Sequence, residues 1–143
     1  MSDWEIRPRE PGDDPFIFSA WLRGLGGCDP SAQVCNSQTW IRDWHRAIEW
    51  LLADDQAIVL LAHLRGEPGQ LLGFAAGRGR LTPQLHWCYV KQPYRGLGIA
   101  RALIAALGAD RIAPFGCSLW SPHLCNKPGW EYDPSIFAEY HYP

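Results

Sequence analysis

The spacing of apolar residues predicts helices in the first part of the chain and strands in the middle. Apolar side chains recur every three or four positions from Asp14 to Gly27 and again from Thr39 to Leu52, as in helices with one buried face. Between residues 57 and 91 the pattern changes to three short apolar runs, AIVLLAHL, LLGFAAGR and QLHWCYVK, separated by turn-forming segments. Because those connections are short, we predict an antiparallel meander.

Residues at the ends of these segments indicate where the helices begin and stop. Asp14 and Pro15 have the order of an N-cap and a first helical residue, and Thr39 is the expected cap of the second helix. A third helix follows the meander and ends at Gly108. Its inward-facing residues are predicted to be Ala100, Leu103, Ile104 and Leu107.

Three further runs complete the predicted sheet. We expect WEIRPR at 4–9 to be a first short strand, FGCSLW at 115–120 to run parallel to the last meander strand, and IFAEYHY at 136–142 to be a final strand. The segment 121–135 between the last two is predicted to be irregular. The expected fold is α/β (α+β), with a mixed, mostly antiparallel sheet and flanking helices in a single domain over residues 1–143.

Composition narrows the function classes. The 143 residues are 47% hydrophobic and 20% charged, which suits one folded domain, and the net charge of −2 gives no general attraction to nucleic acid. The apolar stretches are shorter than the ~20 residues of a membrane span, and the amino terminus lacks a signal sequence. Five cysteines without a CxxC pair indicate reduced thiols in a cytoplasmic protein and no metal site.

The junction before the third helix, YRGLGIA at 94–100, is unusual for a helix start. In place of a capping Ser, Thr, Asp or Asn it has Arg95 followed by two glycines. Backbone N–H groups at a helix start have no partner within the helix, so they bind phosphate where glycines let it approach. The alternative is a tight connection that uses the glycines for their backbone freedom. A dinucleotide-binding turn would need a third glycine where Arg101 stands.

Residues 95–100 resemble the Arg/Gln-x-x-Gly-x-Gly/Ala signature of the GCN5-related N-acetyltransferases (GNAT). The preceding LHWCYVK looks like the fourth strand of that family, and the predicted element order from Trp4 to Trp120 is similar to the family's order. The segments FIFSAWLRG and LHWCYVKQPYRGLGIARALI also resemble small acetyltransferase-like proteins of phages and prophages. The signature is most specific where, as here, the meander precedes it and a helix follows.

The resemblance implies that acetyl-CoA, or a related acyl-CoA, binds at this turn. Its pyrophosphate would lie beside Arg95 on the backbone amides of Gly96, Leu97, Gly98, Ile99, Ala100 and Arg101. In that family the fourth and fifth strands splay apart, and the pantetheine arm lies in the gap along the fourth strand, here near Tyr89 and Val90. The acyl group then faces an acceptor amine.

Attack of an amine on a thioester needs a base, an aligned approach and protonation of the leaving thiolate. Backbone N–H groups at a bulge in the fourth strand would stabilise the carbonyl oxygen. His86 is the candidate base, with a core or solvent-facing histidine as the alternative. Strand alternation would place His86, Cys88 and Val90 on one face, with Trp87 and Tyr89 on the other.

The resemblance is weaker for the acid and the acceptor pocket. The family's usual tyrosine would fall at Cys125, so Tyr132 is the candidate acid, with a packing role as its alternative. Candidates for the acceptor wall, each of which also suits the core, are Trp21, Trp40, Trp44 and Trp130. Acidic residues that would attract a cationic amine, or simply face solvent, are Glu131, Asp133 and Glu139.

The predicted function is transfer of an acetyl group from acetyl-CoA to an amine on a small molecule or a protein. One alternative is a non-catalytic descendant that acts through protein contacts in a phage particle or host complex. The other is an enzyme of the same fold that modifies a nucleobase, for which Arg78, Arg80 and Lys91 would supply a local basic patch. The acceptor and the oligomeric state stay open, with a homodimer as one option.

Overall fold

The computed structural model describes residues 3–79, 84–108, 115–119, 121 and 129–139. Within these ranges the strands are Trp4–Pro8 (β1), Ala57–Leu64 (β2), Glu67–Arg78 (β3), Gln84–Val90 (β4), Phe115–Cys117 (β5) and Trp130–Tyr132 (β6). The helices are Asp14–Gly26 (α1), Ser31–Val34 (α2), Ser37–Leu52 (α3) and Ile99–Ala106 (α4). Short 3-10 turns cover Pro11–Asp13, Gln92–Tyr94 and Ser135–Glu139.

The strands form a single sheet in the order β1-β2-β3-β4-β5-β6. The pairs from β1 to β4 are antiparallel, as predicted for the meander, whereas β5 runs parallel to both β4 and β6. The β2–β3 hairpin turns through Gly66, whose φ of +76° lies in the left-handed region that glycine tolerates. The predicted fold class, a mixed and mostly antiparallel sheet with flanking helices, is confirmed.

Each face of the sheet carries its own apolar cluster. Helices α1 and α3 pack on one face, where Trp21 and Ile48 meet Phe74 of β3. Helix α4 packs on the other face, where Leu103 meets Ala75 of the same strand. Phe74 and Ala75 are neighbours in sequence and belong to opposite clusters, as the alternation of side chains along a strand requires.

Helix α1 begins one residue earlier than its predicted cap implies. Asp14 is the first helical residue and pairs with Arg9, so its assignment as the N-cap is wrong. Asp13 stands at the cap position, where its carboxylate accepts two hydrogen bonds from Arg7, at 2.7 and 2.8 Å, and one from Glu10 N at 2.7 Å. The buried charge pair therefore ties the start of α1 to β1.

Helix α3 begins three residues earlier than its predicted cap implies. Its cap is Asn36, whose side-chain oxygen accepts hydrogen bonds from Gln38 N at 3.0 Å and Thr39 N at 3.2 Å, so the assignment of Thr39 as the cap is wrong. The preceding loop contains the short helix α2. Asp29 closes that loop, because its carboxylate accepts hydrogen bonds from Ser31 Oγ and from Trp40 Nε1.

The carboxyl-terminal part differs from the sequence prediction. The predicted final strand begins instead as a 3-10 turn over Ser135–Glu139, and its remaining residues, 140–142, lie outside the described part. Strand β6 falls in the segment that was expected to be irregular. The predicted turn at 79–83 lies mostly outside the described residues. None of the helices described here is long and apolar enough to cross a membrane.

Candidate functional site

A cleft opens where β4 and β5 part. Within the described residues the two strands pair at Gln84–Gly116 and Leu85–Cys117, and Ser118 N then donates to Leu85 O at 3.0 Å. Beyond this point the cleft has a volume of about 1130 Å³, above the roughly 300–1,000 Å³ of common ligand pockets. Its lining includes residues 87–90 of β4, the turn that leads into α4, Gly24 and Cys28 beside α1, and Trp130 of β6.

The turn ahead of α4 presents unpaired backbone N–H groups to this cleft. Gly96 and Gly98 have φ values of +82° and +85°, and a Cβ atom added to either would meet no atom within 4 Å. Among the described residues, no protein acceptor bonds the amides of residues 96–101. The glycines are therefore needed for the backbone path, and the space before the amides is open. This geometry fits an anion at the positive end of the helix dipole.

Most of the predicted coenzyme-binding residues line the cleft. They are Tyr89, Val90, Arg95, Gly96, Gly98, Ile99, Ala100 and Arg101. Leu97 does not line it, and its side chain is 58% exposed. Ala100 was predicted to face inward from α4, which is wrong, because it is exposed and faces the cleft, whereas Leu103 and Leu107 are buried.

Arg95 folds back onto the end of β4. Its Nε donates a hydrogen bond to Val90 O at 2.8 Å, and its guanidinium carbon lies 5.8 Å from the centre of the Tyr89 ring. The side chain thus keeps its positive charge at the mouth of the cleft, next to the open amides. Arg101, in the first turn of α4, adds a second exposed positive charge at the cleft.

A bulge interrupts β4 at His86. Ala76 of β3 pairs with Trp87 and Gly77 pairs with Leu85, so His86 has no partner across the β3–β4 ladder. The predicted alternation holds for residues 87–90, because Trp87 and Tyr89 pack in the α1/α3 cluster and Cys88 and Val90 in the α4 cluster. It ends at the bulge, since Leu85 packs in the same cluster as Val90 although the two are an odd number of positions apart. A bulge in this strand was itself expected as a source of N–H groups for a carbonyl oxygen.

His86 is buried beside the point where the strands part. It is 3% exposed, does not line the cleft, and shares a hydrogen bond of 2.5 Å between its Nδ1 and Ser118 Oγ. Burial, reinforced by the positive charge of Arg78, lowers the pKa of His86 to about 4. The ring is therefore neutral near pH 7, and its Nε2 has no partner within the described part of the chain. Its role as a base stays a prediction.

Of the other predicted site residues, some line the cleft and others lie elsewhere. Tyr132, on β6, is 46% exposed and does not line the cleft, and Cys125 lies outside the described residues. Trp130 lines the cleft and packs edge-on against Phe115, with 5.2 Å between ring centres. The candidate wall residues Trp21, Trp40 and Trp44 pack instead in the α1/α3 cluster. Away from the cleft lie Glu131 and Asp133, and the side chain of Glu139 falls outside the described part.

Sequence reasoning missed several cleft residues. Tyr94 lies in the 3-10 turn before Arg95, and Gly24 and Cys28 bring the end of α1 to the cleft. The sequence did contain a signal for Gly24, because a glycine inside a predicted helix often marks a close contact with another element. No signal existed for Ser118, whose importance depends on its neighbour across the sheet.

Comparison with known proteins agrees with this geometry. The profile of the acetyltransferase (GNAT) family matches residues 27–127, which is most of the chain. The chain belongs to the GNAT family. Enzymes of this family use acetyl-CoA as their cosubstrate. A search of curated proteins found no match to this GNAT sequence.

Solved structures show the same fold at low sequence identity. AAC(6')-Iy, solved in complex with the bisubstrate analog CoA-S-monomethyl-acetylneamine, is 20% identical over 75% of this chain and 70% of its own, with a TM-score of 0.50. Ribosomal-protein-alanine N-acetyltransferase from Brucella melitensis biovar Abortus 2308 is 23% identical over 75% and 71%, with a TM-score of 0.50. A GCN5-related N-acetyltransferase from Rhodopseudomonas palustris is 26% identical over 79% and 71%, with a TM-score of 0.51.

Proposed function

We propose that this GNAT protein transfers an acetyl group from acetyl-CoA to an amine. The observation that carries the proposal is the row of amides at residues 96–101, which bond no acceptor in the described part of the chain and open into the cleft between β4 and β5. A diphosphate needs several donors and positive charge at one place, and this turn offers both. The family membership supports acyl transfer as the reaction.

The chain's own residues suit each part of such a ligand. The amides of 96–101 would hold the diphosphate, with Arg95 and Arg101 beside it. Along the cleft, the edge of β4 beyond Leu85 is not paired with β5 in the described residues, so its backbone groups are available to an amide-bearing arm. Acetyl-CoA supplies an acyl group activated as a thioester. The bulge at His86 lies next to the inner end of the cleft, where N–H groups would stabilise a developing oxyanion.

The reaction also needs two proton transfers, one from the amine and one to the leaving thiolate. We propose His86 as the base and Tyr132 as the acid, in place of the family's usual residues, which this sequence lacks. Both would need a water to reach the cleft, because neither side chain lines it. A neutral His86 is able to accept a proton near pH 7, although its low pKa makes it a weak base.

Two measurements test the proposal in sequence. Acetyl-CoA should raise the melting temperature, because a ligand that binds only the folded state stabilises it. Release of free CoA thiol should then depend on an added amine, drawn from small amines, aminoglycosides and amino-terminal peptides. An unchanged melting temperature at millimolar acetyl-CoA would contradict the coenzyme site.

A non-catalytic CoA-binding protein is the second candidate, and one observation favours it. Among the described residues that line the cleft there is no carboxylate and no histidine. This candidate predicts a rise in melting temperature with CoA and no thiol release with any amine. Its origin in a phage particle or host complex rests on the sequence resemblance alone.

The nucleobase-modifying alternative loses support. Arg78 was to contribute to a basic patch, but its side chain is 13% exposed and its Nε lies 2.6 Å from Asp54 Oδ2. The ammonium group of Lys91 lies 5.4 Å from the centre of the Phe16 ring. Arg80 lies outside the described residues. The patch therefore lacks one of its three members at the surface.

A further inference from the structure

Two buried side chains join β4 and β5 near the inner end of the cleft. Directly beyond the last β4–β5 pair, His86 Nδ1 and Ser118 Oγ share a hydrogen bond of 2.5 Å. The two residues are 3% and 0% exposed, and neither lines the cleft. The first β4 residue that does line it is Trp87. The His86–Ser118 contact therefore lies near this end and joins the strands there.

Trp87, the next residue of β4 after His86, lies at this end of the cleft. Trp87 is 7% exposed and belongs to the α1/α3 cluster, yet it also lines the cleft. Its ring packs against Gly24 of α1, where an added Cβ would stand 3.0 Å from the ring atom Cζ2. Glycine inside a helix costs about 0.5–1 kcal/mol relative to alanine. The close approach of the indole is the packing reason for a glycine at this position.

If the proposed function holds, Trp87 lies where the acyl group of the coenzyme would end and limits its length. In an acyl-CoA the diphosphate and the acyl group lie at opposite ends of one flexible arm. With the diphosphate on the amides of 96–101, the arm follows the cleft lining past Val90 and Cys88 and ends at Trp87. We propose that Trp87, backed by the His86–Ser118 contact, restricts the acyl group to a short chain such as acetyl or propionyl.

To fit, a longer acyl chain would have to displace the Trp87 indole or break the His86–Ser118 hydrogen bond. Displacing the indole would expose a core side chain and disturb its contact with Gly24. Breaking the His86–Ser118 bond would leave buried polar atoms without partners, which weakens binding of any ligand that forces them apart. In a fitted apolar pocket, one methylene changes recognition by roughly tenfold or more. Discrimination by chain length should therefore be steep.

Binding measurements test the inference without knowledge of the acceptor. Isothermal titration calorimetry gives Kd for CoA, acetyl-CoA, butyryl-CoA and hexanoyl-CoA. We expect butyryl-CoA to bind at least about tenfold more weakly than acetyl-CoA, and hexanoyl-CoA more weakly still. Hexanoyl-CoA that binds as tightly as acetyl-CoA would overturn the inference and leave the proposed function standing. Failure of CoA itself to bind would overturn both.

One variant and its control test whether the Trp87 ring limits the length of the acyl chain. Trp87→Leu should bring the Kd of hexanoyl-CoA close to that of acetyl-CoA, because it removes the ring at the inner end of the cleft. Trp50→Leu is the matched control, since Trp50 packs in the same cluster and does not line the cleft. An acetyl-to-hexanoyl ratio in Trp87→Leu that equals the wild-type ratio would overturn the inference.

Gly24→Ala keeps the test decisive if Trp87→Leu does not fold. The added methyl group presses on the indole, and a helical alanine is otherwise favourable at this position. We expect acetyl-CoA to lose affinity relative to unacylated CoA, since the ring moves toward the acyl end of the cleft. The same ratio of acetyl-CoA to CoA affinity in Gly24→Ala and wild type would contradict a limit set by Trp87.

Discussion

The Nε of Arg95 donates a hydrogen bond to Val90 O at 2.8 Å, which fixes the guanidinium at the end of β4 beside the open amides. Only one of its five N–H donors is used in this bond, and the charge remains at the mouth of the cleft.

Arg95→Ala should therefore weaken CoA binding by about 10- to 100-fold, the effect of losing a charge-assisted hydrogen bond. Arg95→Lys keeps the charge without the planar fork and should lose less. Calorimetric Kd values for the three proteins, at low and high salt, measure the effect. Equal affinity of Arg95→Ala and wild type for CoA would remove Arg95 from the site.

Gly98 and Gly66 share a left-handed backbone and differ in location. Their φ values are +85° and +76°, and a methyl group added to either would have no atom within 4 Å. Alanine at either site should lower the melting temperature through backbone strain of about 1–2 kcal/mol. Of the two variants, Gly98→Ala alone should also lose the rise in melting temperature that CoA causes, because Gly98 lies at the cleft and Gly66 does not. A full ligand-induced rise in Gly98→Ala would speak against the coenzyme site.

The Arg7–Asp13 pair should contribute strongly to stability. Both side chains are largely buried, at 15% and 7% exposure, and the pair has two direct hydrogen bonds. Asp13→Asn removes the carboxylate that accepts two hydrogen bonds from Arg7 and leaves Arg7 with the carboxylate of Glu10, at 3.9 Å. The substitution should lower the free energy of unfolding by about 3 kcal/mol. Asp14→Asn is the control, since the more exposed Arg9–Asp14 pair should be worth about 1 kcal/mol or less. Urea denaturation of both variants measures the difference.

The Asp13 contribution should also depend on pH. The hydrogen bonds from Arg7 hold the pKa of the Asp13 carboxyl below its usual value. The carboxylate is therefore favoured by folding, so its contribution is complete above the ordinary carboxyl pKa and is lost as pH falls through the lowered one. The difference in unfolding free energy between wild type and Asp13→Asn should shrink on acidification. A difference that stays constant down to about pH 2 would contradict this linkage.

Because of His86, the free energy of unfolding should also depend on pH in a higher range. Its pKa falls from the ordinary 6.5 to about 4 on folding, chiefly because the ring is buried. The unfolded chain therefore binds one more proton between these values, and stability should decrease as pH falls from about 6.5 to 4, by at most about 3 kcal/mol. His86→Gln should flatten this slope. Parallel curves for wild type and His86→Gln would show that His86 does not titrate this way.

The sequence predicts those parts of the fold that depend on local patterns. Helix α3 and the strands β2 to β4 follow from periods that involve only neighbouring residues. The open turn at 95–100 could also be predicted from the sequence, because glycines and an arginine at a helix start are typical of a phosphate-binding turn. Even so, the caps of α1 and α3 shifted by a few residues, since several nearby Asp, Asn and Thr residues compete for the same role.

The rest depends on pairings between distant residues. The bulge at His86 arises from the register against Gly77, which no pattern within β4 reveals. The same holds for Ser118, which gains its role only because β5 pairs beside β4. Strand β6 is three residues long, too short for a period to show, and its Trp130 is placed by contact with Phe115.

The most direct test of the central claim follows the backbone amides themselves. In a two-dimensional ¹H–¹⁵N spectrum of the labelled protein, added CoA should shift the amide signals of residues 96–101 more than those elsewhere in the chain, and inorganic pyrophosphate should shift the same signals in the same direction. If those amides keep their positions while CoA binds and moves other signals, the diphosphate lies elsewhere and the proposed coenzyme site is wrong.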